Sequence, residues 1–264
     1  MPDEVKPDDA VTGEFSPDWL TLREPADAVA RAADLVGEVP RPVKVVRDLG
    51  CGTGSLGRWL APQLPAPQHW IMTDRDPALL RLAADGMPSE VAVSTHLRDV
   101  TELTAEDLAG TDLVTCSALL DLLTAGEIDR LVAVLAESRV HALFTLSVTG
   151  EVTLTPEDPL DRAVQDAFNA HQRREIDGRR LLGPDAPAYA AAAFEKAGAR
   201  VLTRPSPWRL GPALSDLTAE WLRGWAGAAH EERPDLAVDA YLTRRTATLP
   251  TASVGHQDLL AIFK

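Results

Sequence analysis

The residues best suited to chemistry lie in one short stretch, Asp48-Leu49-Gly50-Cys51-Gly52-Thr53-Gly54. Glycines at alternate positions let the backbone take positive φ and let a ligand approach the main chain closely. The residues before the turn, 43–49, read as a short β-branched strand. Those after it, 55–63, read as a helix whose free N–H groups face the same ligand. Asp74 lies 20 residues beyond Gly54 at the end of the next strand. An acidic residue there can accept hydrogen bonds from both ribose hydroxyls of a nucleoside cofactor. Asp99 follows a third strand. The plainer readings are a tight turn with no ligand, a helix cap at Asp99, and a buried spacer at Cys51, which has no basic neighbour in sequence to activate it.

The elements that must position these residues alternate. Strands are expected at 43–49, 69–73, 91–95, 112–116 and 143–148, with helices at 55–63, 77–84 and 126–137. That rhythm specifies a parallel sheet covered on both faces. Residues 18–36 carry apolar positions at helical spacing, read as two helices because Pro25 can open a new first turn. After Gly150 the alternation breaks. Helices are expected at 156–171 and 184–198, a sixth strand at 199–203, mainly helix over 212–247, and a last strand at 253–263. Residues 1–17 hold three Pro and five acidic residues and read as a frayed leader ahead of a single domain at 18–264.

With strand context, Asp48, Asp74 and Asp99 in register, the turn resembles motif I of the class I S-adenosylmethionine-dependent methyltransferases. That motif reads G-x-G-x-G after an acidic residue. The G-x-G-x-x-G of dinucleotide enzymes is not completed, because position 55 is Ser. The resemblance implies an α/β fold: a seven-stranded Rossmann-like methyltransferase sheet with the last strand antiparallel, helices on both faces and a small helical cap. The cap would come from about 18–36, 151–184 and 208–248. It also implies cofactor contacts, with S-adenosylhomocysteine as product. Gly50, Cys51, Gly52 and Gly54 would line the methionine part, and Asp48 would hold its amino group. Asp74 with Arg75 would lie at the ribose, and Asp99 with Val100 at the adenine. Cys116 and Ser117 would face the methyl-bearing sulfur. Arg47 departs from the apolar residue usual before the motif's Asp. Several further tracts, among them Trp19–Asp27 and Phe168–Arg174, resemble small bacterial methyltransferases without assigned substrates.

Methyl transfer is a displacement in which alignment does most of the work and a base is needed only if the acceptor must lose a proton. His171 is the expected base, because its proton affinity suits neutral pH, and Asp121 is the second catalytic candidate. Both have plainer readings, as a solvated helix end and a helix cap. Trp19, Asn169, Arg173, Arg174 and Trp208 are expected to bind the acceptor. On a helix Asn169 and Arg173 share one face, His171 and Arg174 another. Trp221 and Trp225 are expected to be packing. In the N-terminal helical segment, Arg23 and Arg31 are each able to pair the cofactor's carboxylate, and Arg23 is taken as the cofactor ligand. The alternative for both is a surface ion pair with Glu24, Asp27 or Asp34.

Composition excludes several classes. Net charge is -14, from 40 Asp+Glu against 26 Lys+Arg, which disfavours duplex nucleic acid. The D/N-P-P-Y/F motif common in enzymes methylating planar nitrogens is missing after the fourth strand, where Thr115-Cys116-Ser117-Ala118 stands. Both points favour a small-molecule acceptor. Two cysteines make neither a disulfide framework nor a zinc site, and no carboxylate set is spaced to hold a catalytic magnesium. No apolar run reaches a membrane span, and the acidic N-terminus is not a secretory signal, so a cytoplasmic protein is expected. Competing readings are another transferase reaction on the same cofactor, such as aminopropyl transfer, a non-catalytic cofactor-binding partner subunit, and a nicotinamide oxidoreductase.

Overall fold

The β-branched and leucine-rich segments pair into one sheet in the computed structural model, which describes residues 15–264. All but the last three residues of the expected leader therefore lie outside the described residues. The strands are β1 (Val45–Leu49), β2 (His69–Asp74), β3 (Ala92–Leu97), β4 (Leu113–Ser117), β5 (His141–Thr155), β8 (Arg200–Pro205) and β10 (Thr251–Ile262), in spatial order β3-β2-β1-β4-β5-β10-β8. Strands β1 to β5 pair in parallel, while β10 runs antiparallel to both β5 and β8. This is the seven-stranded sheet with an antiparallel last strand. A short strand β9 (Trp208–Leu210) pairs with the start of β10, and β6 (Glu175–Ile176) with β7 (Arg179–Arg180) makes a separate hairpin.

The helices are α1 (Pro17–Ala30), α2 (Ala33–Glu38), α3 (Ser55–Leu60), α4 (Pro77–Gly86), α5 (Ala125–Ser138), α6 (Asp161–Gln172), α7 (Ala186–Lys196), α8 (Ser215–Glu232) and α9 (Val238–Ala247). Two cores flank the sheet. One lies under α5 and α7 around Phe144 and Phe194, the other under α2 to α4 around Trp70 and Met72. A third core joins α1, α6, α8 and α9 to β9 and the far halves of β5 and β10, around Trp208, Trp225 and Tyr241.

Three expectations need correction. Pro25 does not divide the N-terminal helix but sits inside α1. The break falls at Arg31 and Ala32, because the buried Asp258 carboxylate accepts the Ala32 N–H at 2.8 Å and takes it out of the helical ladder. The fifth strand does not stop at Val148 but continues to Thr155, paired with β10 from Thr251 to Val254. The helix expected from 156 begins at Asp161.

The sheet puts its switch point between β1 and β4, whose connections run to opposite sides. Ligands of open parallel sheets bind beyond the carboxyl ends of such strands. The glycine turn follows β1 there, and Ala118, Asp121 and the helix α1 stand around it.

Candidate active site

The glycine turn has the geometry that its sequence demands. Gly50 and Gly52 have φ of +57° and +54°, a region that costs residues with a Cβ. A Cβ on Gly50 would lie 3.0 Å from Leu119, and one on Gly52 would lie 3.1 Å from Leu20 of α1. The turn is thus a narrow slot roofed by two leucines. Asp74 holds it from the neighbouring strand: Oδ2 accepts the Gly52 N–H at 2.9 Å and Oδ1 the Asp76 N–H at 3.0 Å. Arg58 of α3 ties it to α1, donating to the Thr53 carbonyl and pairing with Glu24 at 2.8 Å.

Two buried charges in this region lack full pairing. Asp48 is 1% exposed. Its Oδ1 accepts from Thr115 Oγ1 at 2.7 Å, while Oδ2 has no partner. Burial raises its pKa to about 6. The Arg31 side chain is 0% exposed. It donates from Nη2 to Ser55 at 3.0 Å and Ser117 at 3.4 Å, yet Nε and Nη1 have no partner. The surface ion pair is therefore not the state of Arg31. Unpaired buried polar groups are costly. A zwitterionic group beside them fits this donor set, an ammonium at Asp48 and a carboxylate at Arg31.

The remaining cofactor candidates divide. Asp99 Oδ1 accepts from Thr101 N at 2.8 Å and Thr101 Oγ1 at 2.7 Å, capping a short turn at Val100–Glu102. Val100 packs against the first core, and Arg75 is exposed. Cys51 and Cys116 sit in apolar clusters, where burial pushes both thiols well up in pKa. Cys116 is part of the first core, at the end of β4. Ser117 accepts from Thr145 at 3.0 Å as well as from Arg31. Arg23 spends Nε and Nη2 on Asp27 at 3.0 and 3.2 Å and lies over the Trp208 ring at 4.9 Å. Its pair is buried, not on the surface, and it faces the cavity described next. Arg47 is buried and donates to Thr73 and His96 at 3.1 and 2.9 Å.

A cavity of about 660 Å³ opens beside the slot. Its floor includes Ala118 and Asp121 after β4, and its walls come from α1, α6, α8 and β10. Trp19, Phe168, Trp208, Trp221 and Trp225 line it, with Trp19 edge-on to Trp208 at 6.4 Å and Trp221 stacked on Trp225 at 5.2 Å. The two last tryptophans are packing and cavity wall at once. Asp121, Asn169, His171 and Arg174 also line it. Arg173 does not: its guanidinium forms a fork with Asp185 at 2.6 and 2.7 Å, away from the cavity. The expectation that Arg173 shares the site with Asn169 is corrected, because Arg173 caps the end of α6.

Both ring nitrogens of His171 are engaged. Nδ1 accepts from Arg174 at 3.1 Å, so Nε2 carries the proton and donates to Glu231 at 2.9 Å. Burial and Arg174 lower its pKa. Asp121 is densely surrounded by protein, which raises its pKa to about 6. Ala118, which lines the cavity next to Leu119, has φ of +52°, a strained conformation of the kind stored at functional sites.

Sequence reading did not find His256 or Glu231. His256 packs against Trp208 with tilted rings 5.2 Å apart, lines the cavity and is held neutral, its pKa lowered to about 4 by burial. Glu231 carried no signal in the sequence, because ten residues past Trp221 it falls off the helix face that Trp221 and Trp225 share.

Residues 46–138 match a family model described as a methyltransferase domain. No curated protein sequence matches the chain. Among solved structures, the fold is similar to a cyclopropane-fatty-acyl-phospholipid synthase-like protein from Lactobacillus casei ATCC 334. The identity is 16%, each chain is covered to 94%, and the TM-score is 0.58. A cyclopropane synthase from Mycobacterium tuberculosis is similar at 15% identity, again with 94% of each chain covered, and a TM-score of 0.52. The sheet order and the glycine slot agree with that match: residues 46–138 form a methyltransferase domain, and S-adenosylmethionine is the cofactor that such a domain implies.

Proposed function

We propose that this protein transfers a methyl group from S-adenosylmethionine to an oxygen or nitrogen of a small molecule held in the aromatic cavity. The observation that carries this reading is the cavity itself: about 660 Å³, aromatic-walled, and lined by Trp19 and Ala118, the chain neighbours of the Leu20 and Leu119 that roof the glycine slot. Its volume suits a compact organic ligand, and the net charge of -14 suits neither duplex nucleic acid nor an anionic surface. In this reading residues 18–264 act as one domain, with helices α1, α6, α8 and α9 as the cap. The described residues contain no helix long and apolar enough to cross a membrane, which agrees with the cytoplasmic setting proposed here.

The residues divide the work simply. Gly50, Gly52, Asp48 and Asp74 hold the cofactor, with Asp99 and Val100 at its adenine end. When bound, S-adenosylmethionine supplies an electrophilic methyl group on a good leaving group, so the protein needs no nucleophile of its own. Trp19, Trp208 and their neighbours fix the plane of the acceptor and exclude water. Asp121 takes the acceptor's proton. Its carboxylate faces the cavity, and its pKa of about 6 leaves it ionised yet basic at neutral pH. His171 serves instead to position α6 against α8 through Glu231, since a base role would require Nδ1 to release Arg174.

The test is direct. Purified protein is incubated with tritiated-methyl S-adenosylmethionine and a small-molecule extract of its source cells. Label is expected in a low-mass product. Label only in protein or nucleic acid, or none at all, would overturn the reading.

A further inference from the structure

We infer that the methyl acceptor is the basic nitrogen of an organic amine on an apolar body, held in a cavity whose wall favours positive charge. The inference rests on the proposed methyl transfer and decides between the oxygen and the nitrogen acceptor left open there. Four tryptophans and Phe168 wall the cavity, and Asp121 is the carboxylate at its floor. Among the described residues no side-chain hydrogen bond reaches the Asp121 carboxylate. An aromatic face attracts a cation through its quadrupole, more strongly where water is excluded. Trp208 already does so in this wall, with the Arg23 guanidinium over its ring at 4.9 Å.

Charge in the wall has one dominant sign. Among the described residues six carboxylates and three arginines line the cavity. Two of the arginines are matched, Arg23 by Asp27 at 3.0 and 3.2 Å and Arg223 by Glu220. Arg174 donates to Nδ1 and the carbonyl of His171 at 3.1 and 3.0 Å. His171 and His256 add no positive charge at neutral pH, because burial lowers the pKa of both. Carboxylates therefore prevail, with Asp121 at the floor and Asp18, Glu151 and Asp216 exposed on the elements around it.

The reaction moves charge in the same sense. An amine that enters protonated gives its N–H proton to Asp121. The freed lone pair forms the new N–C bond as the S–C bond of the donor breaks. The electron pair of the broken bond stays on sulfur, so the positive charge passes from sulfur to nitrogen. Carboxylates and ring faces around that nitrogen stabilise the charge as it develops. A phenolate would have to bring a negative charge against the same carboxylates, and each of them would oppose its binding.

The experiment reads both binding and product. With S-adenosylhomocysteine at saturation, titration calorimetry compares phenyltrimethylammonium with tert-butylbenzene, its uncharged isostere. The native protein is expected to prefer the cation by about 10- to 30-fold, the range for a desolvated cation on aromatic faces. Asp121→Asn, of nearly the same shape, is expected to weaken the cation by about tenfold. It should leave the isostere unchanged, which also shows that the variant is folded. With tritiated-methyl S-adenosylmethionine, the low-mass product is expected to stay on a cation exchanger. It should also keep its label in boiling hydriodic acid, which strips methyl groups from oxygen and leaves them on nitrogen. Equal affinities for cation and isostere in the native protein, or a cation affinity unmoved by Asp121→Asn, would overturn the inference. So would a low-mass product that loses its label to the acid, and that outcome would leave the proposed methyl transfer standing. Label in no low-mass product would remove the transfer itself, and the inference with it.

Discussion

Asp48 and Asp121, whose pKa values burial raises to about 6, have different tasks, and pH separates them. Asp121, near 6, is proposed to act as a base, so its ionised form is the working one. Methyl-transfer rate should fall as pH drops below about 6, and Asp121→Asn should remove that limb while lowering turnover by roughly 10²–10⁴-fold. Rates of S-adenosylhomocysteine release across pH 5–8, with the acceptor identified by labelling, would show it. An unchanged turnover in the variant would return attention to His171. Asp48, also near 6, is proposed to meet the cofactor's ammonium group, which requires the carboxylate form. Below about 6 the free protein must lose a proton to bind, so affinity for S-adenosylhomocysteine should fall by about tenfold per pH unit. Asp48→Asn should bind more weakly at pH 7.5 but with a flat pH dependence. A native protein whose affinity is already flat from pH 5 to 7 would rule Asp48 out as the ammonium partner.

Among the elements, the strands were legible because parallel strands buried on both faces are short β-branched runs closed by Gly and Pro. The cofactor slot was legible for a similar reason: Asp48, Gly50, Gly52 and Asp74 belong to two consecutive strand ends, so local spacing carries the geometry. The acceptor cavity was only half legible. Asp121, His171, Trp225 with Glu231, and His256 come from four separate segments, and only tertiary packing brings them together. The continuation of β5 past Gly150 was hidden because its partner is β10, about a hundred residues later. Asp258 shows how such long-range contacts set local structure. It accepts from Ala32 N and Leu146 N, each at 2.8 Å, and from the Ser206 hydroxyl. It therefore ends α1, holds Leu146 at a φ of +55° and anchors the segment entering β9. Asp258→Ala would strand two backbone N–H groups and a hydroxyl in the interior, and should destabilise the protein by about 3–5 kcal/mol. Glu38→Ala, which breaks an exposed pair with Arg200 at 3.5 Å, should cost less than about 1 kcal/mol. Urea unfolding of the two variants gives the comparison, and similar losses would mean that Asp258 is not a junction.

At the scale of the whole molecule, α1 belongs to both halves of the site. Leu20 roofs the slot at Gly52, and Glu24 pairs with Arg58 behind the turn. From the same helix Trp19, Leu22 and Arg23 line the acceptor cavity. Arg31 and Ala32 then lock its end to Ser55, Ser117 and Asp258. A ligand under Leu20 cannot enter or leave while α1 is seated, and a cavity missing α1 lacks one wall. Cofactor binding should therefore steady α1 and complete the cavity before the acceptor arrives. The expected signature is in amide hydrogen exchange. Saturating S-adenosylhomocysteine should slow exchange over residues 17–30 as well as at the turn, 49–55. Residues 215–232 of α8, which line the cavity but not the slot, should change little. Slowed local opening follows directly from a ligand that binds only the closed form. Protection confined to the turn, with α1 exchanging as before, would mean that α1 is a fixed wall and that cofactor and acceptor bind independently.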